Sequence, residues 1–208
     1  MTDKPRSVLV LFAHPSQGRS EANSPLFKAV SSIEGVTSVD LYAEYPTYHI
    51  DIEKEQKRLL KHDVVIFQFP MFWYSTPSIL KEWMDLVLEY GFAYGEGGIA
   101  LHGKILLCAM TAGGREEAYC QQGYNHFSVR ELLRPIEQTA SLVGMTYVPP
   151  FPLFGSRTAK EEGRLDAHTR DYVDLVQALV ERRFDVEQSQ PLSKISLSLN
   201  ELITGREV

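Results

Sequence analysis

Short apolar runs alternate with longer stretches of helical periodicity along this chain, in a regular order. Residues 7–13 (SVLVLFA) carry no polar alternation, which predicts a strand buried on both faces. After a polar loop, Ser24-Pro25 predicts a helix start, with Ser24 as cap and the proline in the first turn, where a missing N–H costs nothing. That helix is expected to reach about Glu34 and stop at Gly35. A second strand is predicted over residues 37–42, a charged surface helix over 51–61 and a third strand over 63–69. Thr76-Pro77 repeats the cap-then-proline start, opening a helix that reaches Tyr90 before Gly91. Residues 103–111 read as a fourth strand, 129–143 as a helix, 146–154 as a proline-interrupted fifth strand and 160–184 as a last helix.

Strand–helix units in this order, without hairpin signals, predict an α/β fold: a doubly wound, five-stranded parallel sheet with helices on both faces. The domain is expected to occupy residues 1–186. The Ser-rich tail, 187–208, alternates apolar and polar residues over 192–202. Disorder, an added edge strand and a partner contact are all open for it. In the helix over 76–90, Ile79, Trp83, Leu86, Val87 and Tyr90 share one face, and Leu80, Met84 and Leu88 widen it. That arc fits either a homodimer interface or a deeply buried interior helix.

Composition narrows the function. The chain has 208 residues, 44% of them hydrophobic, enough for one substantial core. Its 21 basic and 27 acidic residues leave a net charge of −6, so no broad basic field is available for nucleic acid. Two cysteines, Cys108 and Cys120, lack the spacing of a disulfide framework or zinc cluster, and no metal ligand set is expected. The apolar run before His14 is too short to cross a bilayer. A soluble protein of the reducing cytoplasm is the expectation.

Chemistry is expected beyond the carboxyl ends of the strands, where doubly wound sheets bind ligands. The first such loop, 13–23, leaves backbone N–H groups at a helix N-terminus, which suits an anion, and adds His14, Ser20 and Asn23. It is neither a Walker loop nor a GxGxxG fingerprint. The second, 70–77, puts Phe72, Trp73 and Tyr74 side by side in a proline-stiffened loop, a wall for a flat apolar ligand. The third, 111–123, has Gly113-Gly114 for close backbone approach, followed by Tyr119 and His126, a phenol and an imidazole suited to charge near neutral pH. Local packing or an ordinary capped loop is the plain alternative for each taken singly.

Together these residues resemble the flavodoxin-like NAD(P)H:quinone oxidoreductases and, within them, the ancillary proteins of bacterial glutathione-regulated potassium-efflux systems. The resemblance spans roughly residues 7–180. It rests on AHP with Ser20 and Asn23, on Gln68, Pro70, Trp73, Tyr74, Ser75 and Pro77, on Lys81-Glu82-Trp83-x-Asp85, and on GFAYG at 91–95. It implies a flavin, FMN or FAD, with His14, Ser20 and Asn23 at its phosphate. Pro70, Met71, Phe72 and Trp73 would border the ring, and Thr111, Gly113 and Gly114 would close it. It also implies NAD(P)H as co-substrate, a quinone as acceptor, and Tyr119 with His126 as the catalytic pair. The family's Gly-Gly-x4-Tyr-x2-Gln-Gly-x-His pattern is met at Gly113, Gly114, Tyr119, Gln122 and Gly123, but Asn125 stands at the histidine position and His126 follows one residue later. The alternative implied is a regulatory subunit of a potassium-efflux antiporter, peripheral at the inner membrane through that partner, with its flavin mainly structural.

Overall fold

The computed structural model describes residues 4–16, 18, 20–196 and 198–205. Gln17 and Arg19 of the first loop, and Leu197 and residues 206–208 of the tail, lie outside the described residues. Among the described residues, five strands form one sheet: β1 (Val8–Phe12), β2 (Val36–Asp40), β3 (Val64–Pro70), β4 (Ile105–Thr111) and β5 (Thr146–Leu153). Their order is β2-β1-β3-β4-β5 and every pairing is parallel. The order reverses direction at β1, so the crevice for a ligand opens between the ends of β1 and β3.

The side-chain alternation of β1 explains both layers. Leu9 and Leu11 enter one core with Val65, Phe67, Trp83, Cys108 and Ile136, whereas Val8 and Val10 enter the other with Leu26, Ile66, Leu107, Val148 and Leu179. The first core lies under α3 (Ile52–Lys61), α4 (Ser78–Val87), α5 (Val129–Leu132) and α6 (Arg134–Leu142). The second lies under α1 (Asn23–Val30) and α7 (Arg164–Val180).

Several boundaries differ from expectation, each for a local reason. Ser24 does not cap the first helix: α1 starts at Asn23, and the Ser24 N–H donates to Ser20 Oγ at 3.2 Å. It ends at Val30, and Gly35 closes the following turns with φ +85°. The second strand is shorter than read, because Asp40 caps a short helix, α2 (Leu41–Glu44), by accepting from the N–H groups of Tyr42 and Ala43. Pro135 has no N–H to continue a helix, so the helix over 129–143 divides into α5 and α6 around Leu133. α4 stops at Val87, leaving Tyr90 66% exposed and edge-on to Tyr94 rather than on the buried face.

Helix α3 is less simply charged than its sequence suggests. Glu55 is fully buried; its carboxylate accepts from Tyr45 Oη (2.6 Å) and Trp83 Nε1 (3.0 Å) and pairs with Arg58. This network pins α4 against α3.

Among its described residues, the segment after α7 adds no strand to the sheet. It folds back on its own chain through α8 (Val186–Ser189) and α9 (Leu199–Leu202), burying Ile195, Leu199, Leu202 and Ile203. The edge strand β5, whose prolines cannot complete a ladder, is covered by it: the Ile195 N–H donates to the Pro150 carbonyl, and Gln190 Nε2 to that of Tyr147.

Candidate active site

The three ligand-type loops meet at one end of the sheet. Asn23 links them from within: its Nδ2 donates to Thr111 Oγ1 at 2.7 Å, and its carbonyl accepts from Gln68 Nε2 at 2.8 Å. Gln68 Oε1 in turn accepts from the Tyr172 hydroxyl at 3.2 Å, so α7 steadies the start of α1 and the tips of β3 and β4 together. Asn23 is nearly fully buried, yet its Oδ1 has no partner among the described residues.

His14 sits where the first loop meets the second. Its ring lies 6.2 Å from that of Phe72 and stacks on Phe12. The Ser16 N–H donates to His14 Nδ1 at 3.1 Å, so Nδ1 carries no proton and Nε2–H is the available donor. Burial, opposed by the charge of Asp40, holds the imidazole pKa below its ordinary value, which keeps this neutral tautomer. Ser20 fastens the loop to α1 through the Ser24 N–H.

The second loop is a tight turn. Phe72 and Ser75 exchange two backbone hydrogen bonds of 3.0 Å around Trp73 and Tyr74, whose φ values are +49° and +63°. Two left-handed residues in succession are what a type I′ turn requires, and Asn-Gly is its usual occupant. Aromatic residues there are strained by about 1 kcal/mol or more each. Trp73 gains no compensating burial: it is 93% exposed. The fold therefore holds an indole out of the protein on a stiff, strained support, a recurrent mark of a ligand contact.

Opposite the turn stand Gly113 and Gly114. A Cβ on Gly114 would press to 3.2 Å from the Tyr119 ring, whereas one on Gly113 would meet nothing nearer than Arg157 Nε at 3.6 Å. The fold needs the first absence for its own packing; the second leaves open floor. Met71, Phe72, Trp73, Tyr74, Gly113, Gly114, Tyr119, Tyr124, Asn125 and Arg157 line a cleft of about 660 Å³, within the range of small-molecule sites. Tyr119 follows a 3₁₀ turn over Glu116–Ala118 and packs on Phe154. Burial first, then the neighbouring Tyr74, holds its phenol above the ordinary pKa, so it is a neutral donor at physiological pH. Tyr74 donates to Asn125 Oδ1 at 3.1 Å.

The structure thus gathers Met71, Phe72, Trp73, Gly113, Gly114 and Tyr119 in one cleft. His14, Asn23, Pro70 and Thr111 form its supporting edge. His126 is not among the lining residues: it is exposed, with φ +61°, and Asn125 takes the place in the cleft. The sequence reading passed over Arg157, Tyr124 and the Gln68–Tyr172 lock. Arg157 had one legible signal, its place two residues after Gly155 beyond the end of β5.

A family model of the flavodoxin-like fold matches residues 6–176. The chain belongs to the flavodoxin-like family. Within it, the chain is 42% identical over 179 residues to the glutathione-regulated potassium-efflux system ancillary protein KefG of Yersinia pseudotuberculosis, covering 86% of this chain and 98% of that one. The crystal structure of general stress protein 14 from Treponema denticola in complex with FMN aligns with a TM-score of 0.78 and 37% identity, over 83% of this chain and 99% of that one. An NADPH-quinone reductase from P. pentosaceus aligns at 0.69 and 32%, over 79% and 96%.

The residues present fit such a flavin. Trp73 and Phe72 give an apolar wall, Gly113 an open floor, and the loop before α1 an anion-suited helix terminus. Asn23 Oδ1, unpartnered among the described residues, is a buried acceptor suited to a hydroxyl of the cofactor's side chain. Among the described residues no cluster of metal-ligating side chains occurs, and no helix is long and apolar enough to cross a membrane.

Proposed function

We propose that this protein is an FMN-dependent NAD(P)H:quinone oxidoreductase that reduces quinones by two electrons. The observation that carries the reading is the exposed Trp73 on its strained turn, facing the open floor at Gly113 and the Tyr119 phenol. FMN rather than FAD is proposed, in keeping with the FMN of the Treponema relative. Bound FMN would supply the capacity to accept two electrons from a reduced nicotinamide and pass them to a quinone.

The chain's own residues have defined tasks. His14 Nε2–H and the N–H groups at the start of α1 would hold the phosphate, with Ser20 keeping that loop in place. Asn23 and Thr111 fix the cofactor's side chain. Pro70, Met71, Phe72 and Trp73 would border the ring of a bound flavin. A cleft that seats donor and acceptor against the ring in turn would provide the proximity that the reaction requires. The Tyr119 hydroxyl, kept protonated by its surroundings, donates to negative charge on an oxygen of the acceptor. Asn125, bonded to Tyr74, holds the place at which the family pattern has histidine.

A homodimer belongs to the same proposal: the exposed Tyr94 and Leu142 line the groove between α4 and α6, with exposed Tyr90 edge-on to Tyr94. A second reading draws on the similarity to KefG along 98% of that protein's length: a cytoplasmic subunit that docks on a potassium-efflux antiporter at the inner membrane. The two roles are compatible in one chain. Purified protein loaded with FMN is expected to oxidise NADH or NADPH in proportion to added quinone, one for one. FMN-loaded protein inert toward every quinone with both nicotinamides would overturn the enzymatic reading and leave the regulatory one.

A further inference from the structure

The cleft is walled by aromatic and neutral polar groups, and among its described lining residues Arg157 alone carries charge. Its position is built rather than incidental. The Gly155 N–H donates to the Gly114 carbonyl at 2.8 Å, the Ser156 N–H to that of Ala112 at 3.0 Å, and the Ala112 N–H to that of Leu153 at 2.9 Å. These bonds stitch the strand end after β5 to the glycine loop, and Arg157 Nε comes within 3.6 Å of the point a Cβ on Gly113 would occupy. Neighbouring arginines are already neutralised: Arg115 and Arg164 both pair with Glu162, while Arg157 makes no ion pair among the described residues. In the turn before Tyr119, Glu116 is bonded to Lys194 at 2.7 Å. An uncompensated guanidinium therefore borders the open floor of the cleft.

We propose that Arg157 makes this cleft hold FMN in its reduced state more tightly than in its oxidised state. The inference rests on the FMN reading of the site. Two added electrons make the flavin ring more negative at neutral pH, and a cation beside it favours that state. Tyr119 and Asn125 are neutral and can offer only hydrogen bonds, so the charge must come from Arg157. A ring covering the floor also removes water from around the guanidinium, which strengthens its effect on the bound ring.

The test is the midpoint potential of bound FMN, measured without nicotinamide or quinone, in the wild type, Arg157→Gln and Arg157→Lys. Dissociation constants for oxidised FMN are taken in parallel by fluorescence quenching. Arg157→Gln is expected to bind oxidised FMN within about twofold of wild type. Its preference for the reduced state should fall about tenfold, moving the two-electron potential down by about 30 mV. Arg157→Lys should recover most of that shift. An unchanged potential in Arg157→Gln overturns the inference, as does an equal loss of affinity for both redox states. A raised KM for NAD(P)H at unchanged potential also overturns it and assigns the guanidinium to the co-substrate. Failure of the wild type to bind FMN at all refutes the cofactor reading itself, a distinct outcome.

Discussion

Trp73→Asn should strengthen the protein alone and weaken its grip on the cofactor. In the structure, Trp73 combines a left-handed backbone, φ +49°, with a side chain that is 93% exposed. Asparagine tolerates that backbone far better, so the substitution relieves strain of about 1 kcal/mol. The exposed indole contributes almost no packing to set against this. For a chain of this size, a gain of about 1 kcal/mol raises the melting temperature by about 2–4 °C. Loss of an aromatic face against the ring costs about 1–1.5 kcal/mol of binding, roughly a tenfold rise in Kd. At FMN one hundred times the wild-type Kd, ligand stabilises the wild type by about 2.7 kcal/mol and the variant by roughly half that. Thermal melts with and without FMN, together with a fluorescence titration, read both effects. The variant should melt higher than wild type when free and lose that advantage when saturated at equal FMN. A lower melting temperature of the free variant, or an unchanged Kd, would refute the reasoning.

Other expectations are as direct. Tyr119→Phe removes one donor from the cleft and should slow quinone turnover about tenfold, read by steady-state kinetics, with FMN affinity little changed. Glu55→Ala leaves the Tyr45, Trp83 and Arg58 groups without their buried carboxylate and should cost about 3–5 kcal/mol in denaturant unfolding. His168, stacked on Phe151 behind the sheet, has its pKa lowered by burial from 6.5 to about 4. The unfolded chain therefore binds the proton first as pH falls: the contribution of about 3 kcal/mol is whole above pH 6.5 and is lost progressively toward pH 4. His168→Leu should flatten that part of the stability–pH curve; an unaltered slope would show that His168 is not its source.

Architecture was legible where patterning is strong. The central strands β1, β3 and β4 are nearly continuous apolar runs in the sequence, because parallel strands covered on both faces have no solvent side to mark, whereas the edge strand β2 (VTSVD) carries polar residues. Helix ends were less legible, since they depend on partners distant in sequence or on single prolines. Ser24 yields its N–H to Ser20 instead of capping, and Pro135 divides one expected helix in two. Glu55 looked like surface charge because its partners Tyr45 and Trp83 lie 10 and 28 residues away. In the site, the aromatic turn and the paired glycines were readable from composition alone. The left-handed φ values of Trp73 and Tyr74 were not, as neither residue type favours them. The contribution of Arg157 arises from pairing between the ends of β4 and β5, which only the fold creates.

A crystal structure of the FMN-loaded protein tests the central claim most directly. The account predicts the isoalloxazine between the Trp73 turn and the Gly113-Gly114 loop, within hydrogen-bond reach of Tyr119, and the phosphate at His14 and the start of α1. A ring bound elsewhere, or crystals grown with excess FMN in which the cleft holds only water, would contradict it.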